Sequence, residues 1–338
     1  MPGKNAVIFN GAASLIAQEA ALLDLLIEPE RGRLSLSQGN TLLAGLSSGA
    51  LMTFIVNAAF SDKHPLSWPG FKEKYLFPLK TDQIYKFRWW PHVHLDTSPL
   101  RALMNEVNGG VGYRVLGDLP FDSAVLTASL DLMKTCWLNN ATHDIPSGDS
   151  EIAEHLRKNA STLDVVDCLM CSTAIPLIFP RQRLRYRDGD DTVCIKTRSG
   201  KDAMFADGAT FGLFHGFGVF HGFRDFFEAY GERFESVYFI TPYFEKAWRE
   251  AEQLEGVRFV SDFIHHAMAL LTEWFIKALK AYDDEKGLAE NIYICMPEIE
   301  KFDLLDFETQ RRQYNCTKTW GCENPERIAV DIDEWPLG

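Results

Sequence analysis

Residues 42–54 read LLAGLSSGALMTF. A short apolar run stops at Gly45, two serines follow before Gly49, and a second apolar run opens at Ala50. The first run has the length of a buried strand, and the second has helical spacing. The segment therefore predicts strand, tight turn, helix. Upstream, NAVIFNGAASLIAQEAALLDLLIEPERG (5–32) follows the same plan. Ala6 to Phe9 read as a buried strand, and apolar residues crowd at helical spacing from Leu15 to Leu26. Pro29 and Gly32 end the helix. Two such units in succession predict parallel strands joined by helical crossovers. The expected fold is a three-layer α/β/α arrangement with a mainly parallel central sheet.

The rest of the chain extends that plan. SAVLTASLDLM (123–133), SVYFITPY (236–243) and NIYICMPE (291–298) read as strands, and YRVLGDLP (113–120) as a short one. Residues 150–180 read as helix, break, helix and a proline-bounded turn. Residues 183–209 read as an antiparallel excursion turning at RDGDD. SDFIHHAMALLTEWFIKALKAY (261–282) is a long helix. Residues 61–105 are rich in proline and aromatics and weak in periodicity, which suits a cap or insertion over the sheet. With no internal repeat and no clear linker, residues 1–338 are expected to form a single domain.

Composition narrows the function. The net charge of −13 argues against nucleic acid as a partner, because a phosphate-binding surface needs a basic patch. It also weakens the case for a broad footprint on anionic membranes, while leaving room for local apolar contact. The seven cysteines are odd in number, so no disulfide framework is expected. Cys168 and Cys171 form one CxxC pair without further zinc ligands, which suits two small residues on a buried helix; no metal is expected. No run of 18 apolar residues is present. The N-terminus faintly mimics a secretory signal, but Asn10 and Gly11 interrupt its apolar run. The expected location is cytoplasmic or peripheral to a membrane.

Gly45, Ser47 and Gly49 fit G-x-S-x-G, in which a nucleophile sits on a sharp strand-to-helix turn and glycines avoid clashes on either side. The helix beyond Ser47 would aim its positive end at the site. The same residues also suit a plain small-residue loop. Ser47 needs a base. None of the nine histidines sits in a late strand-to-loop position, and His265 and His266 lie within a helix as structural or solvated residues. Asp207, followed by Gly208 at the end of the apolar run AMFAD, is the better partner, although Asp-Gly also makes simple turns.

Four segments taken together resemble the patatin-like phospholipase family: GLSSG (45–49), LDTSPLRALM (95–104), CSTAIPLIFP (171–180) and FADGA (205–209). Their order agrees along roughly residues 5–315. The resemblance implies a Ser47–Asp207 dyad, with Gly208 supporting its motif, and hydrolysis of acyl lipids or esters through an acyl-enzyme. It also implies an oxyanion hole from the backbone of Gly11, Ala12 and Ala13, with no cofactor, and peripheral membrane contact. Two departures stand out. In NGAASLI (10–16), Ala12 and Ala13 replace expected glycines, Leu15 stands at the basic position, and Ile16 at the last glycine. After the dyad, a Gly/Phe-rich stretch (211–223), carrying His215 and His221, replaces the usual Asn-Asn-Pro-like segment. That stretch is either a lid or acyl-chain surface, or a loop with its phenylalanines turned inward. Trp89 and Trp90 line a lipid entrance or cover the core. The alternatives are a catalytically impaired lipid- or partner-binding relative, and an acyltransferase using the same serine.

Overall fold

The structure is a computed structural model. It describes residues 4–30, 33–61, 67–87, 95–141, 151–176, 178–209, 218–242 and 257–336. The first half contributes β1 (Asn5–Phe9), α1 (Ile16–Ile27), β2 (Thr41–Leu46), α2 (Ser48–Ala59), α3 (Ser98–Val111), β3 (Asp122–Ser129) and β4 (Lys134–Asn139). Next come α4 (Glu151–Lys158), α5 (Val165–Ser172), β5 (Gln182–Arg183), β6 (Arg185–Asp188), β7 (Asp191–Cys194) and β8 (Met204–Asp207). The chain closes with α6 (Gly218–Tyr230), β9 (Phe234–Ile240), α7 (Val257–Lys286), β10 (Ala289–Cys295), α8 (Gln310–Glu323) and β11 (Val330–Asp331).

Among the described residues, one sheet runs β11-β10-β9-β1-β2-β3-β8-β5, with β4 also paired to β3. Its centre, β10 to β3, is parallel. The flanking pairs β3–β4, β3–β8, β5–β8 and β10–β11 are antiparallel. Alternate residues of β1 serve two cores. Val7 and Phe9 join α1, α2, α3, α5 and α8 on one face. Ala6 and Ile8 join α6 and α7 on the other. Burial on both faces is why these strands read as continuous apolar runs rather than alternating ones. From β1 the order steps one way to β2 and β3, and the other way to β9 and β10. The carboxyl ends beside such a reversal are where open α/β sheets bind ligands.

Two expectations are corrected, and one strand is added. YRVLGDLP is not a strand: Val115 makes an isolated bridge to Asp164, and Leu116–Asp118 form a 3₁₀ turn. Gly117 lies against Ser161, where a Cβ would come within 2.9 Å of a carbonyl oxygen. β4 was not foreseen, because its residues carry no clean alternation. From Gly218 onward the Gly/Phe-rich stretch is helix α6 rather than loop. Tertiary packing outweighs its glycines: Phe226 packs 5.1 Å from Trp137, and Tyr230 stacks on Phe234.

Helix α1 also buries a carboxyl. Glu19 is wholly enclosed, neither oxygen has a partner among the described residues, and burial pushes its pKa well above the usual range. Glu19→Met keeps the volume and removes the unmet polar atoms, so it is expected to raise stability by about 1–3 kcal/mol. A denaturant midpoint unchanged or lowered by the substitution would contradict this.

Candidate active site

Ser47 sits between β2 and α2 at φ 55°, ψ −121°, a left-handed conformation unfavourable for a non-glycine residue. The chain tolerates it because glycines let three backbone segments close around it. A Cβ on Gly45 would lie 2.1 Å from the carbonyl oxygen of Gly49, and one on Gly49 would lie 2.2 Å from that of Phe9. A Cβ on Gly11 would fall 2.4 Å from the Cβ of Ser47. The Ser47 N–H donates to Ser172 Oγ at 2.9 Å, and Ser172 Oγ donates to the Leu126 carbonyl at 2.6 Å. Ser172, at the end of α5, thus ties the turn to β3. The sequence offered CSTAIPLIFP as a motif but no role for this hydroxyl.

Asp207 ends β8 opposite Thr127 of β3. Its N–H donates to the Ala174 carbonyl at 2.9 Å, and its Oδ1 accepts from the Ala209 N–H at 2.9 Å. Ser47 lines the same cleft as this carboxylate, and its side chain favours the ionised form. Asp207 is 3% exposed. Burial raises its pKa to about 6, while the Ser47 side chain and the hydrogen bond from Ala209 pull the other way. Gly208 packs between Leu126 and Leu46, where a Cβ would meet side-chain and backbone atoms within 2.9 Å.

The loop after β1 is fastened at both ends. Asn10 donates through Nδ2 to Thr241 Oγ1 (3.0 Å) and Thr272 Oγ1 (2.9 Å). Ser14 donates from its N–H to the Leu304 carbonyl (3.0 Å) and from Oγ to the Asp303 carbonyl (2.6 Å). Between them, the Ala12 N–H donates to Ser48 Oγ at 2.8 Å. The second serine of GLSSG therefore engages the donor that the resemblance assigned to the oxyanion hole, a contact the sequence did not signal. The N–H groups of Gly11 and Ala13 have no partner among the described residues. Ala13 is held at φ 47°, a left-handed conformation that strains the backbone at a residue other than glycine. Ala13→Gly is expected to raise stability by about 0.5–1 kcal/mol, the left-handed penalty less glycine's extra chain entropy. A lowered denaturant midpoint would mean the alanine is unstrained.

These parts meet in an open cleft. Gly11, Ala12 and Ala13 form one side, with Ser47 and Asp207 beside them. Ile175, Pro176, Met268 and Leu304 supply apolar walls, and Asp207 is the sole charged residue among the described ones lining it. The first turn of α2 begins at the cleft, with the Ala50 N–H donating to the Ser47 carbonyl at 3.0 Å. His265 is buried within α7 and is not among the lining residues. Cys168 and Cys171 are fully buried free thiols whose pKa values burial raises.

No family model and no curated protein matches this sequence. Among solved structures, the crystal structure of VipD from Legionella pneumophila aligns with 98% of this chain and 68% of its own. The TM-score is 0.42 and the identity 11%. A likeness at that level leaves function to be argued from the cleft itself. Trp89, Trp90 and His215 lie outside the described residues, and of His221 only the backbone is described.

Proposed function

We propose that this chain is a lipid acyl hydrolase acting through Ser47 and Asp207, as its resemblance to patatin-like phospholipases implies. One observation carries the reading: a serine held at positive φ on a strand-to-helix turn shares an apolar cleft with a buried carboxylate. Asp207 takes the Ser47 proton as Oγ bonds to the acyl carbonyl carbon. The oxyanion is stabilised by the N–H groups of Gly11 and Ala13 and by the positive end of α2. Collapse breaks the ester bond, and the departing alcohol takes the proton back from Asp207. Water, deprotonated by Asp207, then attacks the acyl-enzyme; the acyl–Oγ bond breaks, Ser47 Oγ takes the proton back from Asp207, and the carboxylic acid is released.

Peripheral contact with a lipid surface belongs to the same reading. Leu270 and Trp274 are exposed on α7, the helix that also sends Met268 into the cleft. No helix among the described residues is long and apolar enough to cross a membrane.

The pH–rate profile tests the base. Asp207 acts only when ionised, so kcat/KM for a medium-chain acyl ester is expected to rise with pH to a plateau, with an acid limb near its pKa of about 6. Undiminished activity at pH 4 would remove Asp207 from the mechanism. Lipid binding without turnover is favoured by one observation, the engagement of the Ala12 N–H by Ser48. Absence of hydrolysis on every ester by a folded protein that still binds lipid would select it.

A further inference from the structure

We propose that the cleft at Ser47 continues into a groove that takes the phosphate-bearing head of an acyl lipid, with Arg181 and Lys201 as its anion-binding residues. The inference deepens the acyl hydrolase reading, since it places the ester of the same ligand at Ser47. Three cavities adjoin one another. The cleft shares Pro176 with a second, open apolar cavity, floored by Ala174, Phe179 and Ala206. That cavity shares Arg181 and Met204 with a third, lined by Arg183, Lys196 and Lys201. Strand β8 runs beneath all three, from Asp207 at the dyad to Met204 at the basic end. Three residues of strand span roughly 10 Å.

The charge balance of the third cavity is what asks for an anion. Four cations line it, against Asp131 and Asp202. Asp202 pairs with Arg183 at 3.1 Å and with Lys196 at 2.5 Å, which anchors the rim. Asp131 accepts the Met204 N–H at 2.8 Å. Arg181 and Lys201 have no acidic partner among the described residues, in a chain whose net charge is −13. Lys201 is set in place by a tight turn: the Gly200 N–H donates to the Thr197 carbonyl at 2.8 Å, with Gly200 at φ 78°. Arg181 follows Pro180 in the segment that walls the apolar cavity. A neutral lipid would find no use for this pair, whereas a phosphate gains charge-assisted hydrogen bonds from both.

The test measures binding, so it does not depend on turnover. Wild type and the Arg181→Gln/Lys201→Gln double variant are titrated by calorimetry with two non-hydrolysable ethers, 1-O-hexadecylglycerol-3-phosphate and 1-O-hexadecylglycerol, and with inorganic phosphate. Both substituted side chains are exposed, so the fold is expected to be retained. The phosphate ether is expected to bind wild type about tenfold tighter than the neutral ether or better. That advantage is expected to vanish in the double variant and to shrink with added salt, while the neutral ether binds both proteins alike. Equal binding of the two ethers to wild type, or an advantage that survives the double substitution, would overturn the proposal. So would inorganic phosphate binding as tightly as the phosphate ether, which would make this a site for free phosphate. A cation-dependent preference in a protein that hydrolyses no ester would uphold the headgroup site and sink the hydrolase reading. Hydrolysis without the preference would do the reverse.

Discussion

Asp207→Asn is expected to lower kcat/KM on acyl esters by on the order of 10²–10⁴-fold, the range for loss of a general base, and at the same time to make the protein more stable at neutral pH. The two effects share one cause. Burial raises the Asp207 pKa to about 6, against about 4 in an unfolded chain. The folded state therefore holds this proton more tightly than the unfolded state does. The sign follows directly: this group's contribution is most favourable below about pH 4, declines as pH rises to about 6, and stays level above that. Keeping the carboxylate ionised at pH 7.5 costs about 3 kcal/mol, which the neutral amide avoids. Denaturant titrations of both proteins at pH 4 and pH 7.5 measure it. The gain is expected at pH 7.5 and is expected to shrink at pH 4. A variant that loses stability at pH 7.5 would show that Asp207 is held chiefly for packing.

Gly45→Ala is expected to disable the site without touching a reacting atom. Its new methyl would lie 2.1 Å from the Gly49 carbonyl oxygen and 2.6 Å from the Ala50 nitrogen, both backbone atoms that cannot rotate aside. Strand β2 and helix α2 must separate, costing about 1–3 kcal/mol as overpacking does. Ser47 moves with them, and a displacement of about 1 Å at the reacting group is worth about 10²-fold in rate. Gly109→Ala is the matched control. Gly109 lies within α3 with nothing within 4 Å of an added Cβ, so that change is expected to stabilise the helix by about 1 kcal/mol and leave the rate alone. Equal activity of the two variants would mean the turn does not depend on close approach at Gly45.

The two parallel units at the start of the chain were legible because their signals are local. An apolar run, a small-residue turn and helical spacing each fit within a window, and β1, α1, β2 and α2 fall where those windows end. Asp207 was legible for the same reason, as a carboxylate closing an apolar strand. The roles of Ser48 and Ser172 were not. Ser48 acts on Ala12, 36 positions away, and Ser172 on Ser47, 125 positions away. Nothing in their own neighbourhoods marks them as more than small polar residues. Helix α6 was hidden by its glycines, since its aromatic residues are rewarded for lining up only by partners outside it, Trp137 on a distant strand and Phe234 of β9 among them. The antiparallel flank of the sheet was hidden similarly, because β8 pairs with β3 across an excursion of over seventy residues.

The central claim is that Ser47 is an activated nucleophile. Incubation of wild type and Ser47→Ala with a fluorophosphonate probe, followed by peptide mass spectrometry, tests it most directly. The account predicts one adduct, on Ser47, absent from the variant. A folded wild-type protein that takes no label on Ser47 would contradict it.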